Sequence, residues 1–258
     1  MKWYITGDCH GDISRFKNFS AVSTSEEKIE KIGIIILGDA GINYYLNKKD
    51  NKIKQELEDT GLIYYLVRGN HEERPENLPD IITVIDEQTK NEVFIEPQYP
   101  NIRYLKDGYV YNINNHSTLV LGGAYSVDKE YRISCGYGWF PAEQLSEKEK
   151  NHIYNNIKGK NFDIILSHTC PISFEPVDLF LHMPQNGIDK STEIWLDKVK
   201  DNCNWKVWCF GHYHADRLER PRVEMFFQDI CDLEEVWERW KTSKVDWWLD
   251  KSPNYYMT

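Results

Sequence analysis

Residues 32–41 read IGIIILGDAG, an apolar run that stops at a glycine followed by an aspartate. A continuous apolar run of this length is typical of a strand buried on both faces, as in a parallel sheet between two other layers. The glycine supplies the backbone freedom that a tight turn after the strand needs. The stretch therefore predicts a central strand with one acidic side chain, Asp39, at its carboxyl end.

Four other short apolar runs end in the same way, at glycine or polar residues. They cover residues 3–5, 62–67, 162–166 and 205–210. Helical patterns around 13–19 and 53–59 separate the first three runs, with the Lys- and Asn-rich stretch 47–54 as a solvated loop before the second helix. This order predicts a βαβαβ beginning and an α/β fold class.

The rest of the chain alternates between β-type and helical patterns. Five short β-type segments between residues 79 and 122 predict a meander of strands, and helices are predicted over 142–157, 192–199 and 233–240. The tryptophan-rich stretch 236–250, which contains Trp237, Trp240, Trp247 and Trp248, is predicted to be an amphipathic helical cap on the sheet. The alternative is an oligomer or partner contact, because exposed tryptophans are enriched at interfaces.

Length and composition predict one folded domain over residues 1–258, with a core over about 1–230 and the helical cap over about 231–258. Among 258 residues, 41% are hydrophobic, and 31 Lys+Arg against 41 Asp+Glu give a net charge of −10. This balance argues against non-specific binding to nucleic acid or acidic membranes. With six scattered cysteines, no C-x-x-C pair and no long apolar run, a cytoplasmic protein without a membrane partner is expected.

Each of the five buried runs is followed by residues with metal-binding or acid–base chemistry. The motifs are GDCHGD (7–12), GDAG (38–41), RGNHE (68–72), SHT (167–169) and GHYH (211–214), and they hold five of the eight histidines. Loops at the carboxyl ends of parallel strands converge on one crevice, so these side chains are expected to meet there. A single motif of this kind is more often an ordinary turn, but all five occur at strand ends in order.

The spacing within the motifs favours metal binding. Asp8 and His10 are two residues apart, as are His212 and His214, and in an extended segment such pairs point to one side. Together with Asp39, Asn70 and His168, they make seven oxygen and nitrogen donors without a thiolate. Such a set suits Mn²⁺, Fe or Zn²⁺, and seven donors are used economically by two ions.

The first motif also has two other interpretations, a polar surface turn and a Cys9–His10 thiol hydrolase. Adjacent residues in an extended turn point apart, so Cys9 is predicted to be a packing residue. Asp12 is predicted to cap the helix that follows.

The ordered set D-x-H, G-D, G-N-H-E, H and G-H-x-H resembles the signature of the calcineurin-like metallophosphoesterases, from Asp8 to His214. The resemblance implies a four-layer αββα sandwich of mixed β-sheets flanked by helices, with two divalent ions, manganese favoured. It implies one ion held by Asp8, His10, Asp39 and His214 and a second held by Asp39, Asn70, His168 and His212, with Asp39 bridging.

The resemblance further implies hydrolysis of phosphate esters by in-line attack of a metal-bridging hydroxide. The catalytic residues would be Asp39, Asn70, which holds phosphoryl oxygens, and His71, which assists the leaving group. Phosphoproteins, nucleotides and nucleic-acid ends are the substrate classes left open, so a phosphodiesterase, nuclease or nucleotide hydrolase is the alternative to a phosphomonoesterase. A catalytically silent binding module is the third interpretation.

GDCHGD and RGNHE look like the Ser/Thr protein phosphatase branch, but the second motif departs from it. That branch has an Asp that orients the catalytic histidine and an Arg that clamps phosphate, where this chain has Ile42 and Asn43. His71 is therefore expected to be oriented by a backbone carbonyl or by Glu72.

A replacement cation for phosphate is sought in residues 122–140, a Gly- and Tyr-rich segment called here the insert. Lys129 or Arg132 could reach a phosphate, and Tyr125, Tyr131, Tyr137 or Trp139 could stack on a base or aromatic ring of the substrate. Arg68 is a further candidate. The alternatives are a surface loop held down by aromatic residues and, for Arg68, a salt bridge.

Overall fold

The protein is described by a computed structural model that covers residues 1–22, 31–180 and 185–241. Its strands are β1 (Lys2–Thr6), β2 (Ile32–Ile36), β3 (Ile63–Leu66), β4 (Ile82–Ile85), β5 (Glu92–Ile95), β6 (Ile102–Leu105), β7 (Val110–Ile113), β8 (His116–Leu121), β9 (Asn161–Ser167), β10 (Asn204–Phe210), β11 (Arg217–Arg220), β12 (Val223–Met225) and β13 (Cys231–Asp232). The helices within these residues are α1 (Ser14–Val22), α2 (Lys48–Glu58), α3 (Lys129–Cys135), α4 (Glu147–Ile157), α5 (Ser191–Asn202) and α6 (Leu233–Lys241).

The strands form two mixed sheets. The first has the order β13-β1-β2-β3-β6-β5-β4 and the second the order β11-β12-β10-β9-β8-β7. Strands β1, β2 and β3 are parallel, with Ile35 opposite Ile5 and Tyr65, and β9 is parallel to β10. All five predicted central strands therefore have their carboxyl ends at shared edges of the sheets. The motifs that follow these strands are close together for that reason.

Three apolar clusters separate the layers. Ile35 belongs to the cluster between the two sheets, whereas its neighbour Ile34 packs outside the first sheet with Phe16 of α1 and Leu57 of α2. Outside the second sheet, helices α4 and α5 pack on a third cluster. Because both faces of the central strands are covered, their continuous apolar runs are explained, and the predicted αββα sandwich is confirmed.

Helix α6 buries Leu233, Val236, Trp237 and Trp240 in the cluster between the sheets. This part of the tryptophan-rich stretch packs against the core, whereas Trp247 and Trp248 lie outside the described residues. In the described parts of the chain, no helix has the length and apolar character needed to cross a membrane.

The structure differs from the predicted elements in three places. The five strands of 79–122 are present, but they do not form one meander: β6 returns parallel to β3, and the β7–β8 hairpin begins the second sheet. Helix α2 begins at Lys48, because Asn47 caps it by accepting the Lys49 amide at 2.9 Å, so 47–54 is mostly helix. The insert contains a helix, α3, which was not predicted because the glycines and aromatic residues of the insert are typical of a loop.

Candidate metal centre

The five motifs meet at adjoining edges of the two sheets. Asp8 follows β1, and its Oδ1 accepts the backbone N–H of His212, which follows β10, at 2.9 Å. His168 follows β9, and its Nδ1 donates to the carbonyl of Leu37, at the end of β2, over 2.7 Å. These two hydrogen bonds each join one sheet to the other, so residues far apart in sequence are held in one place.

Four of the predicted ligands have a left-handed backbone that non-glycine residues rarely adopt. The φ angles are +46° at His10, +47° at Asp39, +69° at His212 and +54° at His214. Each such conformation costs on the order of 1 kcal/mol or more and persists only where the surrounding structure enforces it. Because all four lie at the same edge of the sheets, these conformations indicate a functional site.

The turns between the motifs approach one another too closely for side chains at two glycines. A Cβ at Gly38, where φ is +96°, would lie 2.1 Å from Nδ1 of His168. A Cβ at Gly69 would lie 2.0 Å from Oδ1 of Asp39. Glycine is therefore required at both positions to let the motifs close on each other.

One group of potential ligands consists of Asp8, His10 and His214. Nε2 of His214 lies 2.9 Å from Nε2 of His10 and 3.4 Å from Oδ2 of Asp8. Oδ2 of Asp8 is buried and accepts no hydrogen bond from the described residues. A buried, unpaired carboxylate oxygen beside two imidazole nitrogens fits a divalent cation, because burial of the charge alone is costly.

A second group consists of Asp39, Asn70 and His168. Oδ1 of Asp39 accepts the backbone N–H groups of Asn70 and His71, each at 2.8 Å. Oδ2 of Asp39 is left 3.6 Å from Nε2 of His168. The backbone after β3 thereby fixes the carboxylate, with its second oxygen directed toward the other ligands.

The contact between His168 and Asn70 is the most informative in the site. Nδ1 of His168 faces a carbonyl and therefore carries a proton, so in the singly protonated tautomer Nε2 has a lone pair. Nδ2 of Asn70 donates to Oγ of Ser126 at 2.8 Å, so Oδ1 of Asn70 faces Nε2 of His168 at 2.7 Å. Two acceptors this close need a shared positive charge, which a metal ion coordinated by both atoms would supply in place of a second ring proton.

The groups share members and form one continuous centre. Ligand atoms within 4.8 Å of one another group as Asp8/His10/His214, His10/Asp39/His71 and Asp8/Asp39/His168. Asp8, His10 and Asp39 each belong to two of these groups and so connect them. The His212 ring lies beside that of His168, with centroids 5.0 Å apart.

The local electrostatics favour the deprotonated, metal-binding forms of Asp8, Asp39 and His212, whereas Asp8 raises the pKa of His214. Burial alone would raise the pKa of Asp8 and of Asp39, but the positive charge that a second ring proton gives His168 when no metal is bound, together with the neighbouring histidines, holds both below their ordinary values. Burial lowers the pKa of His212 to about 3, and the nearby His168 contributes. Both carboxylates and the His212 ring are therefore in ligand-ready states at neutral pH.

His71 is held by the insert. Nη1 of Arg132 donates to Nδ1 of His71 at 2.9 Å, so the ring carries its proton on Nε2, which lies 3.8 Å from Oδ1 of Asp128. Burial, with Arg132 contributing, lowers the pKa of His71. The group that contacts Nδ1 is thus Arg132, whereas Glu72 is buried beneath the turn after β2 and accepts amides of Ala40, Gly41 and Ile42.

The predicted substrate residues separate into two kinds. Arg132 is 3% exposed and lines a cavity beside the metal groups. Lys129 instead lies over the ring of Trp139, 4.3 Å from its centroid, and near Tyr125. Arg68 is buried and donates to Asp107, Glu143 and Gly122, which is the salt-bridge alternative for this residue. None of these three, Lys129, Tyr125 or Arg68, lines the cavity.

The cavity has a volume of about 410 Å³. Its lining residues are His10, Gly11, Gly41, Tyr44, Tyr45, Ile53, His71, Asp128, Tyr131, Arg132 and Tyr137. It therefore lies between the turns that follow β1 and β2 on one side and the insert on the other.

Sequence reasoning missed the polar residues that support the site. Ser126 orients Asn70 and in turn donates to Oε2 of Glu143 at 2.5 Å. Asp128 faces His71, and Arg15 of α1 donates to the backbone carbonyls of Asp8 and Phe227. The signal for Ser126 and Asp128 was present, because the sequence SVD follows β8 as the other motifs follow their strands.

Cys9 lies in the apolar cluster beside α1. Burial raises the pKa of its thiol to about 12, which removes the thiolate that nucleophilic catalysis needs. The thiol-hydrolase interpretation is therefore excluded. Oδ1 of Asp12 accepts the Ser14 amide at 3.0 Å, at the start of α1.

Two solved structures resemble this chain over most of its length. TT1561 of Thermus thermophilus is 14% identical, with 92% of this chain and 96% of that chain covered and a TM-score of 0.46. The phosphopantetheinyl hydrolase PptH from Mycobacterium tuberculosis is 12% identical, with 100% and 98% covered and a TM-score of 0.40. These similarities are too weak to argue from, and no curated protein matches the chain.

A protein-family model gives a match that does carry weight. The model described as calcineurin-like phosphoesterase matches residues 1–216, a region that includes all five strand-end motifs. The matched region contains both sheet edges that hold the paired acceptors of Asn70 and His168. The chain accordingly belongs to the calcineurin-like phosphoesterases, metal-dependent hydrolases of phosphate esters.

Proposed function

We propose that the protein hydrolyses phosphate esters at a centre of two divalent ions, with manganese favoured. In this proposal Asp8, His10, Asp39 and His214 hold one ion, and Asp39, Asn70, His168 and His212 hold the other. The 2.7 Å contact between two acceptors, Nε2 of His168 and Oδ1 of Asn70, carries the proposal. The buried Oδ2 of Asp8, which accepts no hydrogen bond from the described residues and lies beside the imidazole nitrogens of His10 and His214, supports a cation at those three residues.

Divalent ions bound in such a centre lower the pKa of water toward about 7 and neutralise charge on a phosphoryl group. The residues of the chain supply positioning. Asn70 is held by Ser126, so its oxygen faces the centre without rotating. Asp39 is held by two backbone amides, which keeps its free oxygen in place as charge moves during the reaction.

His71 is proposed to act on the leaving oxygen through Nε2. Its Nδ1 accepts from Arg132, so Nε2 carries the single ring proton and can donate a hydrogen bond that stabilises the leaving oxygen as the ester bond breaks, while the proton stays on the ring. The lowered pKa of His71 makes the ring neutral at pH 7 and favours a hydrogen-bond donor over a permanently charged acid.

Arg132 is proposed to contact the phosphoryl group as well. Its Nη2 is buried and has no hydrogen-bond partner among the described residues, while Nη1 is engaged with His71. One guanidinium group can therefore hold the histidine and donate to a phosphoryl oxygen at the same time. This arrangement would replace both helpers that the protein phosphatase branch has where this chain has Ile42 and Asn43.

Phosphoproteins, nucleotides and nucleic-acid ends are all compatible with this centre, so the choice between monoester and diester depends on the pocket. We also propose a cytoplasmic location, because all six cysteines are free thiols.

The test uses chelator-treated protein to which Mn²⁺, Zn²⁺ or Mg²⁺ is restored. Hydrolysis of para-nitrophenyl phosphate or bis(para-nitrophenyl) phosphate is expected only with restored metal, and Asp39→Asn is expected to be inactive with each ion. Calorimetric titration with Mn²⁺ should show two sites in the wild type and fewer in Asp39→Asn.

Asp12→Asn is the matched control, because Asp12 lies in the same motif as Asp8 but contacts the Ser14 amide. It should retain activity and Mn²⁺ stoichiometry. Absence of hydrolysis with every ion, together with equal Mn²⁺ binding by wild type and Asp39→Asn, would overturn the proposal.

A further inference from the structure

We propose that the 410 Å³ cavity beside His71 binds the leaving group of the substrate, and that this group is a nucleoside whose base stacks on tyrosine rings. The substrates would then be nucleotide monoesters or diesters with a nucleoside as the departing alcohol. This inference rests on the proposed function, because it states where the leaving group lies when an ester is bound at the proposed metal centre.

The cavity is continuous with the candidate metal centre. Its wall includes His10 and His71, whose ring centroids are 5.4 Å apart. A phosphoryl group at the metal centre would therefore lie at one end of the cavity, with His71 between that end and the rest. A group that extends into the cavity is the one whose oxygen His71 can reach as it departs.

Four tyrosines form much of the cavity lining. Tyr44 and Tyr45 follow β2, with ring centroids 4.8 Å apart, and Tyr131 and Tyr137 come from the insert, with centroids 6.1 Å apart. Tyr45, Tyr131 and Tyr137 are 47%, 61% and 56% exposed, although large aromatic side chains are normally covered. Two tyrosine pairs from different segments give faces on which a planar ring can stack.

The polar atoms of the cavity are at the His71 end. Oδ1 of Asp128 and Nη2 of Arg132 are both buried, and neither has a hydrogen-bond partner in the described parts of the chain. Arg132 suits a phosphoryl oxygen, and the Asp128 carboxylate can accept from a hydroxyl group next to it. A phosphate, a hydroxyl-bearing sugar and a planar base would together use the cationic, hydrogen-bond-accepting and aromatic groups of this lining.

The same groups disfavour a phosphotyrosine side chain. Its phenyl ring is joined directly to the ester oxygen, so the ring would lie near Oδ1 of Asp128, an acceptor to which it offers no hydrogen bond. The volume also exceeds what one phenyl ring needs and lies within the range of about 300–1,000 Å³ found for small-molecule sites.

The test compares substrates that differ only in the base of the leaving group. One pair is AMP and ribose 5-phosphate, and the diester pair is the dinucleotide ApA and its analogue with an abasic leaving nucleoside. The base should raise kcat/KM by about 5- to 100-fold in whichever pair the enzyme hydrolyses, the range that stacking on aromatic side chains gives. In the double variant Tyr131→Ala/Tyr137→Ala this ratio should fall toward one, whereas Tyr131→Phe/Tyr137→Phe should keep it.

Ile133→Ala is the matched control, because Ile133 is also an exposed apolar residue of α3, at 49%, but does not line the cavity. It should leave the ratio unchanged. A ratio of one in an active wild-type enzyme would overturn the inference while the proposed function stands. A phosphotyrosine peptide hydrolysed with higher kcat/KM than both nucleotides would also overturn it.

Binding of adenosine separates the two proposals if no ester is hydrolysed, since adenosine has no phosphate. Calorimetric titration of the full chain should give binding that weakens by about 5-fold or more in the double alanine variant. Adenosine binding that is absent, or equal in the two proteins, would overturn the inference whatever the activity.

Discussion

The strand ends and the insert face the same cavity, but they are built in different ways. Each predicted metal ligand lies within a few residues of a strand whose register is fixed by neighbouring strands, as Ile35 is fixed between Ile5 and Tyr65. Arg132 and Ser126 instead reach the centre from the insert, which long-range contacts of Arg68 and Glu143 hold in place. The comparison teaches that the metal-binding part depends on the fold itself, and the leaving-group part depends on one added segment.

The largest effect within this comparison is expected for His71→Ala, at the junction of the two regions. A positioned hydrogen-bond donor to developing negative charge contributes about 10²- to 10³-fold, so kcat should fall by that range for an ester of a simple alcohol. The loss should shrink for para-nitrophenyl phosphate, because an acidic leaving group needs little stabilisation by a hydrogen bond. Metal content, measured by mass spectrometry, should not change.

An equal loss for alcohol and nitrophenol leaving groups would break the division between the two regions. His71 would then position the phosphoryl group together with the metal ligands and would not serve the leaving group.

Ser126→Ala should have a smaller effect, which sharpens the comparison because it tests whether the insert reaches the metal site. The change removes the acceptor for Nδ2 of Asn70, so the amide is free to turn its oxygen away from His168. Loss of such a supporting hydrogen bond typically lowers metal affinity by about 10- to 100-fold. Competition with a fluorescent Mn²⁺ chelator measures it, and unchanged affinity would show that the strand ends hold the ion without the insert.

The smallest expected effect concerns the stability of the metal-free protein. The pKa of His212 is about 3 in the fold, chiefly because of burial, so the unfolded chain binds a proton near pH 6.5 that the fold does not. Stability should therefore decrease as pH falls from about 6.5 to 4.5, by at most ~1.4 kcal/mol per pH unit from this group. Urea unfolding of wild type and His212→Asn across this range tests the prediction, since the variant should show the shallower slope.

Identical slopes for the two proteins would mean that the neighbouring histidines and the carboxylates of Asp8 and Asp39 compensate His212 fully. The metal-free site would then take up protons without a loss of stability. That result would contradict the expectation from the burial of His212.

Local patterns predicted the α/β class and the five strand ends, because buried parallel strands and the polar residues after them are visible in the sequence, whereas the sandwich was implied by the resemblance of the five motifs to the family. It did not predict the contact between Arg132 and His71, since residues 71 and 132 are joined only by the folding of the insert onto the motif after β3. The split of 79–122 between two sheets was missed for a related reason. Strand patterns show that β6 and β7 exist, but the choice of partner depends on the whole core.

The close approach at Gly38 and Gly69 has a consequence for protein engineering. Substitution at either position pushes a side chain into a neighbouring motif, so saturation libraries aimed at changing metal preference should leave both glycines fixed. Diversity placed at Tyr131 and Tyr137 avoids this conflict, because their side chains are 61% and 56% exposed. Directed evolution toward new esters is therefore expected to accumulate changes at these exposed positions of the insert while the glycine turns stay invariant.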